Sequence, residues 1–211
     1  MKIDKEKILE WYNSGQNTTQ IAKKLKRTPR TVRRILKGKL IRHNRIMCDP
    51  SQLLNLKSEI GQYWHGYLTA TGYISKNRNR LRCSITHKDI GHLYLLVKDL
   101  RSNIQPRKTP KRAYIDINNK ELISLYRSST YKGVHFWRGY IDGRGTVSTC
   151  HGYLKIGIRD VKMRGLFAEE FKLSSNRFWY GEGAVKIGRL LYLGCLRYLS
   201  RKAKIFYVQL T

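Results

Sequence analysis

Apolar residues recur along this chain with two different periods, and the changes of period divide it. From residue 4 to 38 the spacing is helical. Ile8, Leu9 and Trp11 or Tyr12 share one side of a first helix that Asp4 can cap and Ser14-Gly15 ends. Ile21, Ala22 and Leu25 mark a second helix beginning near Thr18 or Thr19. Thr28-Pro29 is a cap residue followed by proline, which opens a third helix with Val32, Ile35 and Leu36 inward and Gly38 at its close. Residues 39 to 56 form a basic linker, of which 39 to 52 have neither helical nor strand period.

Beyond the linker the pattern repeats itself. WHGYLTATGYI at 64–74 aligns with WRGYIDGRGTV at 137–147, and ITHKDIGHLYLLVKDL at 85–100 parallels IGIRDVKMRGLFAEEF at 156–171. Each copy opens with a helix carrying small residues four apart, Gly66/Ala70 and Gly139/Gly143, on one face suited to very close helix packing. Gly72 and Gly145 are expected at left-handed positions ending those helices, and Asp89 and Asp160 at helix caps. A strand, a turn (Asn77 to Arg80; His151-Gly152), a second strand and a helix follow in each copy. Further strand and helix segments are expected at Arg112 to Ile117 and Glu121 to Tyr126, then at Arg177 to Trp179 and Ile187 to Ser200.

Within the strands the period is two. Leu81, Cys83 and Ile85 point one way; Arg80, Arg82, Ser84 and Thr86 point the other. Leu154, Ile156 and Ile158 share a face opposite Tyr153, Lys155 and Arg159. One face belongs in a core, and the other is polar and basic. A two-stranded ribbon of this kind fits a major groove. The fold class is therefore α+β, with residues 1–38, 39–56, 57–130 and 131–211 as three-helix domain, linker, first half and second half.

Charge decides the partner. Lys and Arg number 43 against 14 Asp and Glu, a net charge of +29 spread along all 211 residues and interleaved with core-forming segments. Self-repulsion on that scale is relieved by a polyanion, and nucleic acid is the natural one. No apolar stretch is long enough for a transmembrane span and the first residues lack a signal-peptide pattern, so the expected place is cytoplasmic, nucleoid-associated, without a membrane partner. Cys48, Cys83, Cys150 and Cys195 form no CxxC pair and the histidines no HExxH, so reduced thiols are expected rather than a zinc site.

TTQIAKKLKRTPRTVRRILKG at 18–38 resembles a helix-turn-helix, with the third helix entering a major groove. Arg30, Thr31, Arg33, Arg34 and Lys37 are its outward candidates, the arginines suited to guanine O6 and N7. Arg42 and Arg45 in the linker are further candidates, with the linker either lying in a minor groove between two major-groove modules or staying solvated. In the two sheets the candidates are Ser75, Asn77, Arg80, Arg82, Ser84 and Arg112, then Thr146, Ser148, Tyr153, Lys155, Arg159 and Arg177.

FWRGYIDGRGTV, YWHGYLTATGYI and the C-terminal LYLGCLRYLSRKAKIF together resemble the LAGLIDADG homing endonuclease family across roughly residues 57 to 211. The resemblance implies a pseudo-dimer of two αββαβα-like halves, joined by paired motif helices Tyr63 to Thr71 and Phe136 to Arg144, with a β-saddle on a long asymmetric double-stranded DNA site. It also implies descent from phage or other mobile elements. The family's cleavage chemistry needs an acid just before the terminal glycine of each motif, to hold divalent ions against the scissile phosphates. Here those positions are Thr71 and Arg144. The expectation is a monomeric, non-cleaving DNA-binding protein, a transcriptional repressor without a cofactor, in which Arg144 either grips backbone phosphate or is a product of drift after cleavage was lost. An active or nicking endonuclease with displaced ligands, using magnesium through Asp142, Glu59 or Asp116, is the first rival. An intron RNA maturase is the second.

Overall fold

The computed structural model describes residues 5–14, 16–36, 48–75, 80–127 and 132–208. The chain divides into two compact units, Met1–Arg45 and Ile46–Thr211.

The first unit is three short helices, α1 (Lys5–Asn13), α2 (Thr18–Lys24) and α3 (Pro29–Ile35). Ile8, Ile21, Ala22, Val32 and Leu36 form its core, as the helical spacing requires. Asn17 caps α2 in a reciprocal box: its Oδ1 accepts from Gln20 N at 3.0 Å, and Gln20 Oε1 accepts from Asn17 N at 2.9 Å. Thr28 caps α3, with Pro29 in the first turn as expected. The chain turns between α2 and α3 through Lys26, which holds φ of 50°. Asp4, Gly15, Lys37, Gly38, Arg42 and Arg45 lie outside the described residues, so the expectations placed on them have no structural counterpart here.

The second unit holds both halves. The first contains α4 (Ser51–Leu54), α5 (Glu59–Thr71), β1 (Gly72–Ser75), β2 (Arg80–Thr86), α6 (Ile90–Asp99), β3 (Arg107–Lys108), β4 (Arg112–Ile117) and α7 (Lys120–Arg127). Its antiparallel sheet has the order β1-β2-β4-β3. The second half contains α8 (Val134–Arg144), β5 (Thr146–Cys150), β6 (Tyr153–Gly157), α9 (Val161–Glu170), β7 (Phe178–Tyr180), α10 (Gly181–Tyr192) and α11 (Ser200–Val208), with sheet order β5-β6-β7. Each sheet buries one face under its own helices: Leu81, Cys83, Ile85, Ala113, Ile115 and Ile117 in the first core; Val147, Leu154, Ile156 and Trp179 in the second.

The halves meet along α5 and α8. A Cβ at Gly139 would stand 2.0 Å from the carbonyl oxygen of Tyr63, and one at Gly66 would fall within 1.9 Å of Phe136 O. Gly143 faces Ala70 and Thr71 at the end of the pair. Contacts thus advance together from residue 63 to 71 and from 136 to 143, so the helices run parallel at backbone contact. The spacing of small residues alone anticipated this approach. Among the described residues, three ion pairs also cross between the halves: Arg138–Glu59 (2.5 Å), Arg197–Asp99 (2.7 Å) and Arg201–Asp89 (3.1 Å).

Four expectations are corrected. Gly72 and Gly145 are extended, with φ of −83° and −75°, rather than left-handed; glycine is needed because a Cβ would strike Leu68 O or Ile141 Cα at 2.6 and 2.7 Å. Asp160 caps α9 through Met163 N at 3.0 Å, but Asp89 makes no cap bond, its carboxylate accepting instead from Thr86 and Arg201. The helix expected over Ile187 to Ser200, with LYLGCLRYLSRKAKIF as a last helix, is interrupted. Gly194 takes φ of +66° after α10, and residues 193–199 run without helix to α11. Finally, the segment read as linker is ordered at its C-terminal end, where α4 buries Leu53 in the first core.

Candidate nucleic-acid interface

Because α5 and α8 end side by side, the strands that leave them also start together. Between those helix ends and the first sheet lies a polar cavity of about 360 Å³. Thr71, Ser84, Thr86, Arg112, Arg144 and Arg201 are among its lining residues. Arg144 and Arg112 are exposed and come from different halves. Thr71 Oγ1 donates back to Tyr67 O at 2.8 Å, as a threonine in a last helical turn often does.

Two carboxylates, Asp89 and Asp142, also border the cavity, and both are committed. Asp89 accepts from Arg201 at 3.1 and 3.2 Å and from the Thr86 hydroxyl at 3.0 Å. Asp142 is buried; it accepts from the Tyr192 hydroxyl (2.7 Å), the Tyr63 hydroxyl (2.9 Å) and Leu199 N (2.7 Å). Burial pushes its carboxyl above the usual carboxylate range, against the opposing pull of Lys202 and these hydrogen bonds. Burial likewise holds the Lys202 ammonium down to about 8. That ammonium donates to Ile141 O and Gly145 O at 2.5 and 2.7 Å, closing the C-terminal end of α8 with a cation.

A divalent ion does not fit this donor set. Three guanidiniums, those of Arg112, Arg144 and Arg201, line the place where it would sit, and each nearby carboxylate would first have to give up its partners. Among the described residues no group of three or more His, Cys, Asp or Glu is placed to hold a metal. The rival's other acids are also engaged. Glu59 Oε1 takes Arg138 and the amides of Leu196 and Arg197. Asp116 takes Arg82 in a two-point fork at 2.6 and 2.9 Å.

The outward faces of the sheets hold most of the remaining candidates, and the register sets their neighbours. In the first sheet Ser75 lies opposite Arg80, Arg82 lies between Tyr73 and Asp116, Ser84 is opposite Tyr114, and Thr86 opposite Arg112. The Arg82 guanidinium is also 4.3 Å from the Tyr114 ring centre. In the second sheet Ser148, Lys155 and Tyr180 form one row and Thr146, Gly157 and Phe178 another. Tyr153 is exposed at the turn end of β6. Arg159 and Arg177 are exposed but outside the strands. Asn77 lies outside the described residues. In the separate first unit Arg30, Arg33 and Arg34 are exposed along α3, whereas the Thr31 hydroxyl is 3.1 Å from that of Thr28.

The two outer faces differ in their cations. The second face carries Lys155 alone among cations in its strand rows, its ammonium 3.9 Å from the Phe178 ring centre. Sequence reasoning missed Arg107, in a strand too short to show a period, and Arg201, which reaches the cavity from the far C-terminal helix. It also missed Phe178 and Tyr180, whose alternation about buried Trp179 becomes visible once the strand is set one residue later.

No family model matches the chain, and no curated protein matches it. Among solved structures it is similar to full-length DUF199/WhiA from Thermatoga maritima, at 18% identity and a TM-score of 0.45 over 75% of this chain and 64% of that one. The chain therefore spans less than two thirds of that protein's length. It is also similar to the N-terminal LAGLIDADG domain of DUF199/WhiA, at 18% identity and a TM-score of 0.44, covering 73% of this chain and 92% of that one.

Proposed function

We propose that this chain is a sequence-specific double-stranded DNA-binding protein that holds its target without cutting it. It serves as a monomeric transcriptional repressor of a phage or other mobile element. The observation that supports the reading is the cavity at the joined ends of α5 and α8, lined by Thr71, Arg144, Arg112 and Arg201; the family resemblance puts Thr71 and Arg144 where cleavage needs carboxylates. A guanidinium there supplies the attraction for a backbone phosphate that a cation would, without generating a nucleophile. The net charge of +29 supplies the sequence-independent part of the affinity through counterion release.

Recognition is assigned to two readers. Helix α3 of the first unit, with Arg30, Arg33 and Arg34 outward, is a major-groove helix of the helix-turn-helix kind. The two sheets are the second reader, and tethering converts two modest affinities into tight occupancy of a long asymmetric site. Repression follows from occupancy without chemistry.

The test is selection of bound duplexes from a random DNA library, then incubation of the winners with protein and magnesium. A long site that stays intact is expected. A nicked or cut site would return the chain to the endonucleases, and preference for structured RNA over every duplex would favour the maturase.

A further inference from the structure

We propose that the two sheets read base pairs of different kinds, the β1–β4 face a half-site rich in G·C and the β5–β7 face a half-site rich in A·T. The inference rests on the duplex-binding reading and adds to it the composition of the target.

The sheets differ most where they are most comparable. In the row beginning one residue beyond each helix-ending glycine, the first sheet carries Tyr73, Arg82 and Asp116. The matching row of the second carries Thr146, Gly157 and Phe178. One row is a cation beside an anion; the other is uncharged.

An acid on the outer face of so basic a chain needs a reason, since it repels phosphate. Asp116 is one of only 14 acids in 211 residues, and it is held within the field of Arg80, Arg82 and Arg107. In the major groove a G·C pair shows two acceptors on guanine and one amino donor on cytosine. A guanidinium beside a carboxylate presents the complementary order, donors and then an acceptor. Arg82 and Asp116 are fixed in that order by their two hydrogen bonds, so the arrangement exists before DNA arrives.

The second face presents aromatic rings and small side chains, with Lys155 and Arg177 set against the Phe178 ring. The Phe178 ring lies across β6 at Gly157, so close that a Cβ there would stand 2.2 Å from the ring. Glycine therefore leaves the ring flat on the sheet. Tyr180 follows on the same side, half exposed. Beside them the Thr146 methyl and the Ser148 hydroxyl suit the thymine methyl and the mixed donor and acceptor edge of adenine. Lys155, drawn over the Phe178 and Tyr180 rings at 3.9 and 5.6 Å, is a point charge that suits a phosphate.

The experiment is duplex selection with the full chain, repeated with Asp116→Asn and with Phe178→Leu. Arg33→Ala with Arg34→Ala identifies the segment read by the first unit. A site with one G·C-rich and one A·T-rich half is expected. Asp116→Asn should then lose about tenfold or more of base discrimination in the G·C half alone, and Phe178→Leu similarly in the A·T half alone. Equal composition in the two halves overturns the inference and leaves duplex binding standing, and needs no variant to fold. A variant that relaxes both halves or neither also overturns it. If no duplex is enriched at all, the duplex reading itself falls and the inference with it.

Discussion

The hydroxyl of Tyr63 donates to Asp142 Oδ2 at 2.9 Å, so the acid inside the second motif is answered from the first motif helix. With Tyr192 and Leu199 N as its other partners, Asp142 ties α5, α8, α10 and the segment before α11 into one buried polar knot. Asp142→Ala should therefore cost roughly 3 to 5 kcal/mol of stability, because two hydroxyls and the Leu199 amide lose their shared acceptor and the buried Lys202 ammonium loses a nearby countercharge. Chemical denaturation measures this. A midpoint like that of the parent would mean the carboxylate is free for other work.

Gly139→Ala should destabilise by about 1 to 3 kcal/mol or more, since the new methyl meets backbone oxygen and the helices must part. Gly165→Ala, inside α9 with open space around it, should instead gain about 0.5 to 1 kcal/mol. Thermal melts of the pair test whether backbone contact, rather than helix propensity, fixes the glycine at 139.

Arg144→Ala should weaken duplex binding and lower the slope of log affinity against log salt by about 0.9, the share of one phosphate contact. Thr71→Asp with Arg144→Asp should weaken binding further in metal-free buffer. Affinity and slope equal to the parent's would place Arg144 outside the interface.

His65 and His92 are buried, and burial lowers both imidazoles from 6.5 to about 4. The unfolded chain takes up these protons near pH 6.5 and the folded chain only near 4. Stability is thus fully present above 6.5 and is lost as pH falls towards 4, by roughly 3 kcal/mol per imidazole. Asp89 and Asp116, held below 3.8 despite burial by hydrogen bonds from Arg201 with Thr86 and from Arg82 respectively, add their loss only at lower pH. His65 Nε2 has no hydrogen-bond partner among the described residues, so His65→Met should flatten part of the slope between 6.5 and 4. Melting temperatures indifferent to pH in that window would contradict the burial account.

Removing residues 1 to 38 should shorten the protected stretch of DNA and weaken binding. An unchanged footprint would assign recognition to the second unit alone.

Much of this arrangement was legible in the sequence because it depends on local periods. The alternation of Leu81, Cys83 and Ile85 with Arg80, Arg82 and Ser84 fixed the faces of β2, and the four-residue spacing of small residues fixed the contact face of α5 and α8. What stayed hidden depends on distant partners. Nothing near Asp116 in the chain announces that Arg82 will hold it, nor near Glu59 that the amides of Leu196 and Arg197 will. Gly194, like the alternation of Phe178 and Tyr180 about Trp179, is a local signal that went unread, and missing it joined two helices that the structure separates.

The three ion pairs between the halves share a direction. Glu59, Asp99 and Asp89 come from the first half, and Arg138, Arg197 and Arg201 from the second. Two copies of the first half would set Glu59 against His65, the residue aligned with Arg138, and so lose that guanidinium. The two copies have thus taken unlike roles at their seam, one supplying the acids and the other the arginines.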